Sequence, residues 1–286
     1  MTIIVADLGA TNARLAWIKN GKLSEIYRFA CNDFKSPTQL IESFMHGYVP
    51  KASYLLIGVP GAVINDKVKW TNRDWQLDAK QLKKKLGMKS VVLMNDVQVQ
   101  GSALPILKKQ DLLFLQGNKL GQGPKILVNV GTGLGSCYII GDNVFPSEYG
   151  QTVLGNQQSL ETLVSGPAFK KLYQQITGEA NLVSAVKIAE LCLNKDKEAL
   201  QTYQYFYKVL AEVLMNLCLT LKATGGVYLC GGILDEKTLK SLKFAKSFTE
   251  HPKMKALLKS IPLIFIKKKD FAFLGLKKLA KQYDWS

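Results

Sequence analysis

The chain has 286 residues, 47% of them hydrophobic and 21% charged, with a formal net charge of +16. That balance excludes an intrinsically disordered chain and supplies apolar material for two domains of ordinary size. Nearly all the positive charge is lysine, with Arg14, Arg28 and Arg73 the only arginines, a composition poor for base readout, so no nucleic-acid partner is expected.

In chain order, residues 3–6, 13–17 and 23–28 read as strands, with Lys19-Asn20-Gly21-Lys22 as a hairpin turn. A helix is predicted over 37–47 and an apolar strand over 54–59, closed by Pro60-Gly61. Short strands around Val63 and Val68 precede a helix opened by Asp78, with Gln81 three residues on as a capping box. A strand over 90–94 and a helix from Val97 complete the first half. Residues 111–125, with Gly117, Gly121 and Gly123, are expected to cross between the halves.

The second half repeats the scheme. Residues 126–130, 136–140 and 143–145 form a predicted meander turning at Gly141-Asp142, and helical material fills most of 160–222. A strand over 227–230, a helix near 236–244, a strand over 263–266 and a terminal helix from Ala272 finish the chain. The doubled layout predicts two α/β domains with a cleft between them: a small one over 1–108 and a large one over 109–271 with a helical insertion, the terminal helix 272–286 packing back on the first. The longest apolar helix prediction, 209–221, contains Glu212 and Asn216, which argues against a membrane span, and no membrane partner is expected; the opening apolar run stops at Asp7, too short for a signal peptide, so the cytoplasm is expected. Five widely spaced cysteines without a C-x-x-C pair predict reduced, mostly buried thiols, and the isolated His46 and His251 argue against a Ser-His-Asp hydrolase.

Two glycine turns carry the chemistry. Asp7-Leu8-Gly9-Ala10-Thr11-Asn12 and Asn129-Val130-Gly131-Thr132-Gly133-Leu134-Gly135 each join two predicted strands, where a tight turn can aim several backbone N–H groups at a phosphate. The first also carries a carboxylate, Asp7, and a hydroxyl, Thr11, placed where they could meet a metal-bound phosphate. Asp96, beside Asn95 at the carboxyl end of a predicted strand, is placed either to take a proton from an attacking hydroxyl or to cap the next helix. Asn72, Glu148, Gln151 and Glu161 read singly as surface residues or caps, and together as polar groups suited to a ligand with many hydroxyls, because each hydroxyl both donates and accepts. Gly225-Gly226 and Gly231-Gly232 bracket a strand, either for close approach of a flat ligand such as adenine or for close strand–helix packing.

Together these segments resemble the bacterial glucokinase family, on the duplicated RNase H-like, actin-like ATPase fold. The resemblance runs in order through residues 7–14, Thr71-Asn72, Asn95-Asp96, Gly131 to Gly135, Ser147-Glu148, Glu161 to Pro167 and Gly225 to Ile233. It implies phosphorylation of the 6-hydroxyl of glucose, or of a related hexose, with ATP and Mg2+, and a possible homodimer. By the same resemblance Asp96 is the catalytic base, and Asn72, Asn95, Glu148, Gln151 and Glu161 meet the sugar. Asp7 engages magnesium through water, Gly9, Ala10, Thr11, Asn12, Gly131, Thr132 and Gly133 hold phosphates, and Gly231 and Gly232 lie against adenosine. Two departures stand out: Gln151 replaces the histidine usual in the family, and the segment from Glu148 to Glu161 is short. The zinc motif of the related repressor–kinase family and its DNA-binding helix-turn-helix are lacking, so a transcriptional role is not expected.

Overall fold

The computed structural model describes residues 1–153 and 157–285, and they divide into two units, 1–107 with 269–285, and the described residues of 108–268. Residues 154–156, inside the short segment before Glu161, lie outside the described residues.

Unit 1 opens with a meander of β1 (Thr2–Leu8), β2 (Asn12–Lys19), β3 (Lys22–Leu23) and β4 (Tyr27–Ala30). The predicted strand over 23–28 is thus two short pieces, both paired to β2. After α1 (Pro37–Tyr48), β5 (Tyr54–Val59) adds to β1 in parallel. The β6 (Lys67–Lys69) and β7 (Gln76–Asp78) hairpin leads to α2 (Ala79–Leu86), β8 (Ser90–Asn95) pairs with β5, and α3 (Asp96–Ser102) follows. Asp78 caps α2 by accepting from the Lys80 and Gln81 N–H groups, as its position predicts. Strands β1 and β5 are buried on both faces, which explains their unbroken apolar sequence.

Unit 2 departs from the expected layout at its start. Residues 111–125 are not a plain crossing, because β9 (Leu112–Gln116) lies within them as the edge strand, antiparallel to the last strand of the sheet. Its apolar run Leu112-Leu113-Phe114-Leu115 is the signal, hidden in sequence by the glycines behind it. Strands β10 (Lys125–Val130), β11 (Leu134–Ile140) and β12 (Asn143–Ser147) form the meander, followed by α4 (Gly166–Thr177), α5 (Ala185–Leu193) and α6 (Lys197–Leu221). Then come β13 (Gly226–Cys230), α7 (Glu236–Ser241), α8 (Phe244–Phe248), α9 (Lys255–Ser260) and β14 (Leu263–Ile266). Helix α6 is the spine of this unit's core, burying Tyr203, Phe206, Tyr207 and Leu210 against Phe169 and Phe244.

The chain then returns to unit 1 as α10 (Ala272–Gln282), which packs Phe273 and Leu276 on Ile3, Val5 and Leu56. Gly275 is what lets α10 sit so close, since a Cβ there would lie 2.0 Å from the Val99 carbonyl oxygen of α3. The two main sheets share one plan: an antiparallel meander whose first strand (β1 or β10) pairs in parallel with the next strand (β5 or β13), which pairs in parallel with a third (β8 or β14). All five cysteines are buried and unbridged. Among the described residues, no helix is long and apolar enough to cross a membrane.

Candidate active site

In unit 1 the parallel strands β1, β5 and β8 end along one edge, the register running Asp7↔Gly58 and Gly58↔Met94, with Val59↔Asn95 one step on. Ligand groups of α/β sheets gather at such carboxyl ends. Asp7 is buried there, Asp96 stands two strands away, and Gly58 between them brings no side chain: a Cβ on it would come within 3.6 Å of Asp96 Cα. The N–H of Gly9 donates to the Asn12 carbonyl at 2.9 Å, closing the first glycine turn, and Cys31 N–H donates to the Thr11 carbonyl at 2.9 Å.

Asp7 is not a lone carboxylate. Its Oδ2 pairs with Arg14, which also donates to Asp270 at 2.9 Å, and Asp270 in turn pairs with Arg28. Burial pushes the Asp7 carboxyl upward; Arg14 pulls against that shift and Asp270 adds to it. Nothing near Asp270 in the chain hints at this role, since its partners lie some 250 residues away in chain order.

The capping alternative for Asp96 is resolved by its neighbour. Asn95 is the N-cap of α3: its Oδ1 accepts from Val97 N–H at 3.0 Å and Gln98 N–H at 3.1 Å, and its Nδ2 donates to the Gly61 carbonyl. The Asn95 amide oxygen is therefore engaged locally. Asp96 is the first residue of the helix proper; its Oδ1 accepts from Val97 N–H at 2.8 Å, a bond that orients the half-buried carboxylate. Asn72 is exposed in the loop between β6 and β7.

Unit 2 gathers its own set. The second turn is closed by Gly131 N–H to the Gly133 carbonyl at 2.9 Å, leaving Thr132 exposed at its tip. Glu161 Oε2 accepts from the Leu134 N–H at 2.9 Å, and Gly166 N–H donates to the Gly131 carbonyl at 2.7 Å, so both flanks of this turn are held. Glu148 ends the β12 side and leads into a 3-10 turn, Tyr149–Gln151, whose Gln151 N–H returns to the Glu148 carbonyl. Burial raises the Glu148 carboxyl above its ordinary range, and the neighbouring Glu161 charge adds to the shift. Glu148 and Glu161 are thus brought together, with exposed Gln151 beside them.

The glycine pair after β13 divides. Gly231, at φ +128°, lies against its neighbouring strand, where a Cβ would fall 2.1 Å from the Val130 carbonyl oxygen; its bareness serves strand packing beside the second turn. Gly232 faces open space, and a Cβ added to it would meet no atom within 4 Å.

A magnesium ion fits the first turn in one way only. Among the described residues no group of three or more His, Cys, Asp or Glu side chains is arranged to hold a metal. Asp7, however, offers a buried carboxylate whose Oδ1 has no partner among the described residues, beside the first glycine turn. That suits magnesium, which keeps its waters and is held by a carboxylate and substrate phosphates.

The family model described as Glucokinase matches residues 4–158 and 147–283. The glucokinase of Nitrobacter hamburgensis is 26% identical over 308 residues, covering 96% of each chain, and that of Psychromonas ingrahamii is 25% identical over 310 residues, covering 98% of this chain and 97% of its own. Among solved structures, glucokinase from Balamuthia mandrillaris in complex with glucose superposes with a TM-score of 0.81 at 19% identity, covering 98% of this chain and 93% of that one. A ROK family glucokinase from Streptomyces griseus in complex with glucose and AMPPNP gives 0.73 at 17% identity, covering 99% of this chain and all of that one (100%). These likenesses bear out the actin-like ATPase fold expected from the sequence.

Proposed function

Because the chain belongs to the glucokinase family, we propose that it transfers the γ-phosphoryl group of ATP to the 6-hydroxyl of glucose. The observation that carries this reading is the carboxyl edge of unit 1, where one sheet presents a buried Asp7 and a closed glycine turn at the end of β1 and Asp96 past the end of β8, with only β5 between them. Phosphoryl transfer asks little covalent chemistry of a protein; positioning and electrostatics do most of the work.

Asp96 accepts the proton of the attacking hydroxyl, its orientation set by Val97 N–H. The two turns, closed by the Gly9 and Gly131 N–H groups, offer the N–H groups of Ala10 and Thr11 and of Thr132 and Gly133 to phosphate oxygens. Glu148, Gln151, Glu161, Asn72 and the free N–H of Asn95 meet sugar hydroxyls. Gln151, where the family usually has histidine, donates and accepts without a protonation switch. Open space at Gly232 suits the adenosine. Asp7, through water, would hold magnesium, which neutralises developing charge on the transferring group when bound.

A hexose panel with coupled ADP detection tests the reading. Glucose is expected to give the highest kcat/KM, with magnesium required. Preference for mannose or an amino sugar would move the substrate, and ATP binding with no phosphorylated sugar would make the chain a nucleotide-binding regulator.

A further inference from the structure

The geometry points to Arg73 as a positioning residue for the nucleotide, acting from behind the first glycine turn; this rests on the reading of that turn as a phosphate holder. Its guanidinium lies 4.2 Å from the Trp75 ring centroid. Nη1 donates to the Ala10 carbonyl at 3.3 Å and to Asn32 Oδ1 at 2.9 Å, and Nη2 donates to the Cys31 carbonyl at 2.9 Å. One side chain therefore bridges three separate segments: the tip of the turn, the 3-10 turn Cys31–Asp33, and the loop that carries Asn72.

The anchor end is itself rigid. Trp70 N–H donates to the Trp75 carbonyl at 2.9 Å, Trp75 N–H to the Arg73 carbonyl at 2.8 Å, and the two buried indoles meet edge to face. From that base Arg73 reaches the carbonyl side of the turn. In a trans peptide the C=O and the following N–H point in opposite directions. Holding the Ala10 oxygen on the Arg73 side therefore aims the Thr11 N–H the other way, and Cys31 N–H does the same to the next peptide through the Thr11 oxygen. Among the described residues neither the Ala10 nor the Thr11 N–H has an acceptor. Without the guanidinium, the Ala10–Thr11 peptide is free to rotate and present a carbonyl oxygen, which repels an anion, where an N–H stood.

The choice of side chain supports this. Basic residues number 38 and only three are arginine. A lysine ammonium has no planar fork to span the Ala10, Cys31 and Asn32 oxygens while stacking on an indole. A plain surface charge would not need an arginine here.

The test is calorimetric titration of wild type, Arg73→Lys and Arg73→Ala with AMP-PNP and magnesium, and separately with glucose. Arg73→Ala is expected to weaken AMP-PNP by about 10-fold or more, the scale of lost charge-assisted hydrogen bonds, while glucose affinity stays within about 3-fold. Arg73→Lys is expected to fall between, and millimolar guanidinium to restore part of the loss in Arg73→Ala. A folded Arg73→Lys or Arg73→Ala that binds AMP-PNP like wild type overturns the inference; so does equal loss of both ligands in step with a fall in Tm. Should Arg73→Ala fail to fold, Arg73→Lys decides. Wild-type protein that binds AMP-PNP but phosphorylates no hexose sinks the sugar-kinase reading alone, leaving Arg73 to be judged on the nucleotide titrations.

Discussion

Arg14 and Asp270 stand 256 residues apart in the chain and 2.9 Å apart in space. Arg14 holds Asp7 with its other arm, and Asp270 also holds Arg28. The residue that opens the way into α10 therefore braces the carboxylate beside the first glycine turn.

Replacing Asp270 with Asn is expected to cost about 1–3 kcal/mol of stability, the range for disabling a half-buried, charge-assisted pair. Burial alone would raise the Asp270 carboxyl, but hydrogen bonds from Arg28 and Arg14 outweigh it and hold the group below its ordinary range. A depressed folded-state pKa stabilises the fold above the ordinary carboxylate range, and that stability drains away as pH falls toward the folded value. Wild type should lose Tm on acidification more steeply than Asp270→Asn; parallel acid profiles would count against the brace.

Asp96→Ala should lower kcat at least about 100-fold, the low end for removing a general base, with smaller effects on nucleotide and sugar affinity. Asp96→Asn, which keeps the shape and an acceptor for Val97 N–H, should be nearly as slow. Near-normal turnover by either variant would remove Asp96 from the chemistry.

Gln151→Ala is expected to act on sugar KM by about 10-fold, as for loss of a hydrogen-bonding partner, with little change in ATP KM. An unchanged sugar KM would take Gln151 out of the site.

On the proposed reading of the site, Glu148 is expected to give sugar binding a pH dependence. Its raised carboxyl, buried and beside Glu161, protonates on acidification sooner than an ordinary glutamate. Protonation turns a hydroxyl acceptor into a donor, so sugar KM should rise on the acid side, with an inflection above the ordinary glutamate range. Glu148→Gln should flatten that limb; an unaltered profile in the variant would assign the inflection elsewhere.

Two glycine substitutions should move stability in opposite directions. Gly275→Ala drives a Cβ to 2.0 Å from the Val99 oxygen and should destabilise the docking of α10 by about 3 kcal/mol or more. Gly47→Ala, near the end of α1 with open space around it, should stabilise by about 0.5–1 kcal/mol. Paired Tm measurements check both.

Much of this molecule was written locally. The apolar runs of β5, β8, β10 and β14, the cap at Asp78 and the glycine turns each depend on residues within a few positions, so their signals survive in one dimension. So does the repetition of the plan, because a strand and its turn carry the same pattern wherever they occur. The edge strand β9 was obscured by the glycines that follow it, since its pairing partner β14 lies about 150 residues further on and leaves no mark near it.

The sequence by itself determined most of the segments that become strands, turns and helices, β9 apart, because hydrophobic period and backbone freedom are properties of neighbouring residues. Only the tertiary structure decided how the polar groups are employed: the Asn95 amide donating to the Gly61 carbonyl, Glu161 bonding Leu134, Gly231 pressed on Val130, and three scattered arginines committed to Asp7, Asp270 and the Ala10 carbonyl. A hydrogen bond depends on distance and direction in space, and residues hundreds of positions apart acquire those only when the sheet assembles.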